Sequence, residues 1–479
     1  MSLILKTRLA ILWSILQQFS VKIIGLIINV FLARILSPEE FGLIAMLTVF
    51  IALGTSLMDS GLTSSLIRSR ITGQKDYSTI FIFNLIGGIA AYLILCAFAP
   101  FIADFYRQPI LIKIIQVYGL TFIINAFFSI QNTLLIKDLH FKQQALIQIP
   151  AVIAGGSLGV VLAYYGYGVW SLVWMQLLST LVSTILHWIY SPWRPRLIFD
   201  KKSFRKHFYF GYKMTLSGLL DTLYQNIYTI IIGRFYSAAQ LGYYARADSL
   251  SQLPVGIIYN AVNKVAYPMF SSISNDDVKL KQVYRKLMQQ VLFWNAPSLI
   301  FLAIIAEPLI SLLITDKWLP AVPYFQILCV TGVMFPLQSY NLNILKVKGQ
   351  SGQILRLEII KKILLVIGII AVIPFGIMGL LYFQLSFVFF AYYINSYYSG
   401  TLIKYPMIEQ IKDVWPILFI AAVSGLIVFM LNYFAFPHYD HKFLRILLSG
   451  ITYGSLYLII SHLFKLAALA DFKQIILKK

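Results

Sequence analysis

The chain has 479 residues, of which 59% are hydrophobic and 12% charged, with a mean hydropathy of +0.78. A soluble domain carries about 25% charged residues, so neither a water-soluble globular protein nor a large soluble catalytic domain fits. The 39 Lys and Arg against 18 Asp and Glu give a net charge of +21, which in so apolar a chain reflects positively charged cytoplasmic loops and not a nucleic-acid partner.

The first apolar run, residues 11–33, follows Lys6 and Arg8, exceeds the length of a signal-peptide core and ends at Arg34 without a cleavage site, so it is expected to be retained as a first spanning helix. Further runs begin near Phe41, Ser78, Ile114, Ala145, Val169, Tyr212, Tyr243, Leu287, Ala321, Glu358, Ile377, Val414 and Phe443. With about twenty residues needed per crossing, they predict an all-α polytopic membrane protein of about 14 transmembrane helices. Alternating sides along these runs puts 29 of the 39 basic residues on the side of the N-terminus, including Lys346, Lys348, Arg356, Lys361 and Lys362, and 7 on the other. Both termini are therefore expected in the cytoplasm. The two cysteines, Cys96 and Cys329, lie inside apolar runs and offer no disulfide framework.

The longest polar stretch is basic and spans 191–213, whereas all outward loops are short. It separates six spans from eight. The expected organisation is an N-lobe at 1–190, a basic cytoplasmic linker at 191–211, a C-lobe at 212–403, and two appended helices with a tail at 404–479. An internal repeat supports this division. Arg34, Ser37, Glu40 and Gly42 recur 200 residues later as Arg234, Ser237, Gln240 and Gly242, and each copy fits a helix capping box. Pro100 is echoed by Pro308, and Asn132 with Lys137 by Asn341 with Lys346. Because each half holds an even number of spans, the repeat is expected to be parallel, with two six-helix lobes around a cleft.

Polar residues inside spans face bundle interiors or wet cavities, because lipid does not solvate them. In the first helix Gln18, Lys22, Gly25 and Asn29 are spaced i, i+4, i+7, i+11 and share a face. In the first helix of the second half, Asp221 and Gln225 sit on one face with Asn226 beside them; the eighth span adds Arg246, Asp248, Asn260, Asn263 and Lys264. The candidate cavity is therefore Gln18, Lys22, Asn29, Asp221, Gln225, Asn226, Arg246, Asn260 and Lys264. Taken singly, the asparagines also suit plain interhelical hydrogen bonding. The stretch from Gly155 to Gly159 reads as close helix packing. No phosphate-binding G-x-x-x-x-G-K-[ST] loop is present, and His438 with His441 lack the company of a metal site. No cofactor is implied.

With its span count, parallel repeat, Arg34 to Gly42 hairpin and cationic midplane, the chain resembles the Wzx-type polysaccharide flippases over essentially its whole length. That superfamily also contains the multidrug and toxic compound extrusion exporters and the lipid II flippases, and the hairpin looks most like the colanic-acid or teichuronic-type branch. The resemblance implies a V of two six-helix lobes and no enzymatic turnover. It further implies carriage of an undecaprenyl-diphosphate-linked oligosaccharide from the cytoplasmic to the periplasmic leaflet of a bacterial inner membrane. Partners would be that lipid-linked substrate, membrane lipids, a coupling cation such as Na+ or H+, and other polysaccharide-assembly proteins; from the residues themselves, Asp221 is expected to release or pair with Lys22 when that cation binds. An ion-coupled multidrug exporter of the same fold and a polysaccharide polymerase or ligase are the alternatives. The first should show an acidic cavity, the second a substantial outward catalytic loop.

Overall fold

A computed structural model describes residues 3–477 except Ser60, Arg70 and 435–440; of the side chains at 3–11, 257, 259–265 and 473–477 nothing is described. Expected positions Asn260, Asn263, Lys264 and His438 thus lie outside the described side chains. Among the described residues all regular structure is helical: α1 (Leu3–Ile35), α2 (Pro38–Asp59), α3 (Leu62–Arg68), α4 (Gln74–Tyr106), α5 (Ile110–Tyr118), α6 (Leu120–Lys137), α7 (Phe141–Tyr164), α8 (Val169–Tyr190), α9 (Lys201–Gln225) and α10 (Ile227–Phe235). There follow α11 (Ala238–Ser272), α12 (Asp277–Ile304), α13 (Ala306–Ile314), α14 (Val322–Val347), α15 (Ser351–Val372), α16 (Gly376–Ile403), α17 (Met407–Phe434), α18 (Lys442–Leu463) and α19 (Ala467–Leu477).

Among the described residues eleven segments are long and apolar enough to cross a membrane. One of them, Ser351–Ile403, contains both α15 and α16. The segments α9–α10 and α11 have spanning length but are too polar to count. Splitting the first and admitting the other two restores the expected fourteen, and the polar helices are those that carry Asp221 and Arg246. The protein is a multi-pass membrane protein.

By packing, the helices form two compact units, Met1–Gly242 and Tyr243–Lys479. This division is by contact and the expected lobes are by repeat: α9 and α10, which open the second copy, pack on α2 and α4 of the first unit, and α9 also on α3.

Within the first unit the loops gather at two ends, as the alternation of spans requires. At one end Lys137 donates to the Ser69 carbonyl (3.0 Å), Gln74 to the Arg194 carbonyl (2.8 Å) and Trp193 to Gln74 (2.8 Å). The segment 191–200 is irregular and pinned along the start of α4, with the Arg196 and Asp200 backbone N–H groups donating to Ser78 and Thr79. Asp200 then caps α9 by accepting from the Ser203 N–H at 2.8 Å, which holds its carboxyl below the usual carboxylate range. At the other end the Arg234 guanidinium lies 5.1 Å from the Phe105 ring, and Glu40 sits against Gly168. The second unit repeats the arrangement. Lys281 pairs with Glu409 (2.7 Å) and Lys348 with Asp277 (2.5 Å) at one end, and Lys442 with Asp316 (3.1 Å) at the other.

Local geometry carries the repeat. Both capping boxes form: the Ser37 N–H donates to Glu40 and the Glu40 N–H to Ser37 Oγ, and Ser237 with Gln240 does the same. At the ends of α6 and α14 the His140 N–H donates to the Leu135 carbonyl, and the Gln350 N–H to that of Leu345, across left-handed Leu139 and Gly349. The glycines of α7 act as expected. Side chains on Gly155 and Gly159 would run into α8 at Met175 and Ser179, and one on Gly156 would meet Ile28 of α1.

Candidate functional site

Helix α1 packs chiefly on α7, through Ile28 against Gly156 and through Gln17, which donates to Gln148. The expected stripe lies beside that seam. Gln18 and Lys22 are exposed, Asn29 is half-buried, and a Cβ on Gly25 would have nothing within 4 Å. Gln18 donates to Ser14 Oγ at 3.1 Å and Asn29 to the Gly25 carbonyl at 2.8 Å, both within the helix. Lys22 makes no hydrogen bond or ion pair among the described residues. An ammonium in an apolar helix without a protein partner is left to water or to a ligand.

On α9, Asp221 and Gln225 are exposed. The helix breaks at Asn226, whose side chain donates to the Thr222 carbonyl at 2.8 Å, and restarts as α10. Asn29 and Asn226 therefore work first on their own backbones. Lys22 and Asp221 do not form an ion pair with each other. In the second unit Arg246 is half-buried on α11, with its guanidinium 5.9 Å from the Trp318 ring.

Two features were missed by sequence reasoning. Lys361, counted above among the cytoplasmic-side cations, lies inside α15 and is 5% exposed, bonded to Glu358 (2.5 Å) and to Asn395 of α16 (3.1 Å). Charge alone cannot reveal that a helix has supplied a lysine with partners. The second is a polar cavity of about 330 Å³ in the first unit, lined from α6, α7 and α8 by residues including Asn125, Gln148, Gln176 and His187. Its signal was present: Gln176, Thr180, Ser183 and His187 repeat the i, i+4, i+7, i+11 spacing of the α1 stripe. The second unit holds an apolar groove of about 750 Å³ walled by Ile304, Val330, Phe389, Trp415 and Phe419.

A family described as "Polysaccharide biosynthesis protein" matches residues 31–323, more than half of the chain. The chain belongs to that family. Among its relatives, the lipopolysaccharide biosynthesis protein WzxC of Escherichia coli (strain K12) is 27% identical over 336 residues, covering 70% of this chain and 68% of the relative. The teichuronic acid biosynthesis protein TuaB of Bacillus subtilis (strain 168) is 25% identical, covering 71% of each. The expected resemblance, including its branch, is matched by these relatives. Among solved structures, an inward-closed lipid II flippase MurJ superposes with a TM-score of 0.76 at 17% identity, over 95% of this chain and 98% of that one. An inward-facing multidrug resistance MATE transporter does so with 0.61 at 16% identity, over 80% and 96%. The fold is thus that of the MurJ and MATE transporters.

Proposed function

We propose that this family member is a non-enzymatic flippase that moves an undecaprenyl-diphosphate-linked oligosaccharide from the cytoplasmic to the periplasmic leaflet of a bacterial inner membrane, for assembly into surface polysaccharide. The observation that carries the reading is Lys22: a cation in a spanning helix, exposed on it and without a protein partner among the described residues. A membrane anion such as a lipid diphosphate matches it as a point charge. Arg246, and Lys264 from the sequence, are the other candidate cations for such a substrate. The apolar groove of the second unit supports a substrate with a long hydrocarbon tail.

In this reading the diphosphate rests on Lys22, and amide groups such as Gln18 and Gln225 take sugar hydroxyls. The halves of the repeat, at 1–190 and 212–403, rock one about the other, with Pro254, Pro268 and Pro336 as flex points, to expose the site to each face in turn. A coupling cation, Na+ or H+, binding at Asp221 shifts the balance between the facing states. Positive-inside charge supports cytoplasmic termini, and the relatives' names support partners among other polysaccharide-assembly proteins.

The test is a deletion strain in which surface polysaccharide and the cytoplasmic pool of lipid-linked oligosaccharide are both measured. Wild type should restore export and drain the pool; Lys22→Ala, inserted at normal level, should do neither, and Lys22→Arg should restore part. Normal surface polysaccharide with Lys22→Ala would overturn the cationic site. Lipid-linked pools unchanged by the deletion itself would overturn the flippase and favour the drug exporter.

A further inference from the structure

The cavity between α6, α7 and α8 holds more polar groups than the protein pairs. Asn125 and the hydroxyl of Ser179 have no side-chain hydrogen bond among the described residues. Asn132 accepts from Gln144 at 3.0 Å, which leaves its N–H2 group as a donor. The Gln176 amide nitrogen reaches Thr180 at 3.4 Å, which leaves its oxygen as an acceptor. His187 is 1% exposed and stacks on Phe128. Its Nδ1 lies 2.8 Å from the Ser183 carbonyl, so Nδ1 carries the hydrogen and Nε2 a lone pair. That Nε2 has no partner and is closed off from the cavity, so a guest reaches it only through a small turn of the ring. Hydrocarbon surroundings make such groups expensive to leave unmet, so the cavity is suited to a polar guest.

The lining selects among guests. It contains no Asp, Glu, Lys or Arg, so it offers neither the carboxylate that a dehydrated metal cation favours nor the positive charge that an anion needs. Donors and acceptors are instead interleaved, which matches groups that both donate and accept, as hydroxyls do. The volume of about 330 Å³ is at the small end of ligand pockets, about 300–1,000 Å³. We propose that this cavity binds one uncharged, hydroxyl-rich ring of monosaccharide size. The proposal rests on the flippase reading, which supplies the glycan, and adds to it a sugar subsite distinct from the Lys22 stripe. The two are neighbours. Gln148 of the cavity wall accepts from Gln17, and Lys22 follows five residues on, about 7.5 Å along the α1 axis and turned about 140° around it.

The purified protein in lipid nanodiscs is to be tested by saturation-transfer NMR with free glucose, galactose and N-acetylglucosamine as neutral probes, and glucuronate and sodium chloride as charged controls. At least one neutral sugar should receive saturation. The signal should fall at least fivefold in Asn125→Leu/Gln176→Leu and in His187→Phe, which keeps the stack on Phe128 and removes the lone pair, and should persist in Lys22→Ala. Thermal unfolding identifies any variant that has lost its fold, and the folded one then decides. No transfer to any neutral sugar from wild type, equal transfer in the folded variants, or stabilisation by sodium alone would each overturn the sugar site. Wild-type export by those variants would also overturn it while leaving the flippase reading intact. Binding that survives alongside lipid-linked pools unaffected by deletion would support the cavity and overturn that reading instead.

Discussion

Gly42 and Gly242, 200 residues apart, press into each other's motif: a Cβ on Gly42 would overlap the Ala238 carbonyl, and one on Gly242 would overlap the Pro38 carbonyl. The repeated sequence thus makes a reciprocal backbone contact between the starts of α2 and α11. Because each glycine meets backbone and not a movable side chain, an added methyl has to push the helices apart. Gly42→Ala and Gly242→Ala should each lower stability by about 1–3 kcal/mol, the usual cost of overpacking. The double variant should be no better than either single one, since both methyls push in the same direction. Thermal unfolding in detergent reads the loss, and recovery by the double variant would contradict the reciprocal contact.

The same turns hold the capping boxes. Ser37→Ala and Ser237→Ala should each cost about 1 kcal/mol, while Ser37→Asn or Ser37→Asp should be nearly neutral, because those side chains also accept from the third N–H of the helix. The capping pairs differ in one respect: Glu40 also lies against Gly168, whose φ of +56° favours glycine. Glu40→Ala should therefore disturb the α7–α8 loop as well as α2, and faster proteolysis near 165–168 than in Ser37→Ala is the expected readout.

How far the molecule was legible follows from where its information lies. Apolar runs and the repeated Arg-Ser-Gly spacing are local, so spans, turns and caps could be read directly, down to Ser37 and Ser237. Helices α9 and α11 were counted among the spans, although the polar residues that make them interesting lower their hydropathy below that of the other spans. The break at Asn226 was hidden because an asparagine that bonds back to Thr222 looks in sequence like one that bonds across helices. Lys361 was placed among loop cations because its partners Glu358 and Asn395 come from three and thirty-four residues away and only packing brings the second to it. The α8 stripe ending at His187 was overlooked because serine and threonine in a spanning helix usually bond to their own backbone, as Thr180 and Thr184 do here. What distinguishes the stripe is the set of groups left over, which appears only when α6, α7 and α8 are assembled.

Lys361 gives a test of buried charge. Its side chain is 6% exposed and that of Glu358 30%, so removing the carboxylate strands an ammonium within the bundle. Glu358→Leu should cost about 3–5 kcal/mol, whereas Glu358→Leu/Lys361→Met, which removes both charges, should recover most of it. Asn395→Leu should cost less, since Lys361 would keep its carboxylate. A double-mutant cycle on thermal unfolding measures the coupling. Additive losses would mean that water already solvates the pair.

The α1–α7 seam offers a test by relief. A methyl on Gly156 would collide with the end of the Ile28 side chain, and α1 is the helix that carries Lys22. Gly156→Ala alone should therefore lower stability by about 1–3 kcal/mol and displace α1. Ile28→Ala alone should cost about 2–5 kcal/mol, diminished to the extent that the seam closes over the gap. Combined, the new methyl occupies volume vacated by the isoleucine, so the pair should be less destabilised than the sum of the single changes by at least about 1 kcal/mol. Because Gln17 and Lys22 follow the position of α1, export by Gly156→Ala should fall further than its protein level does, and Ile28→Ala/Gly156→Ala should recover export relative to Gly156→Ala. Strict additivity of the two changes would show that α1 does not rest on Gly156 through Ile28.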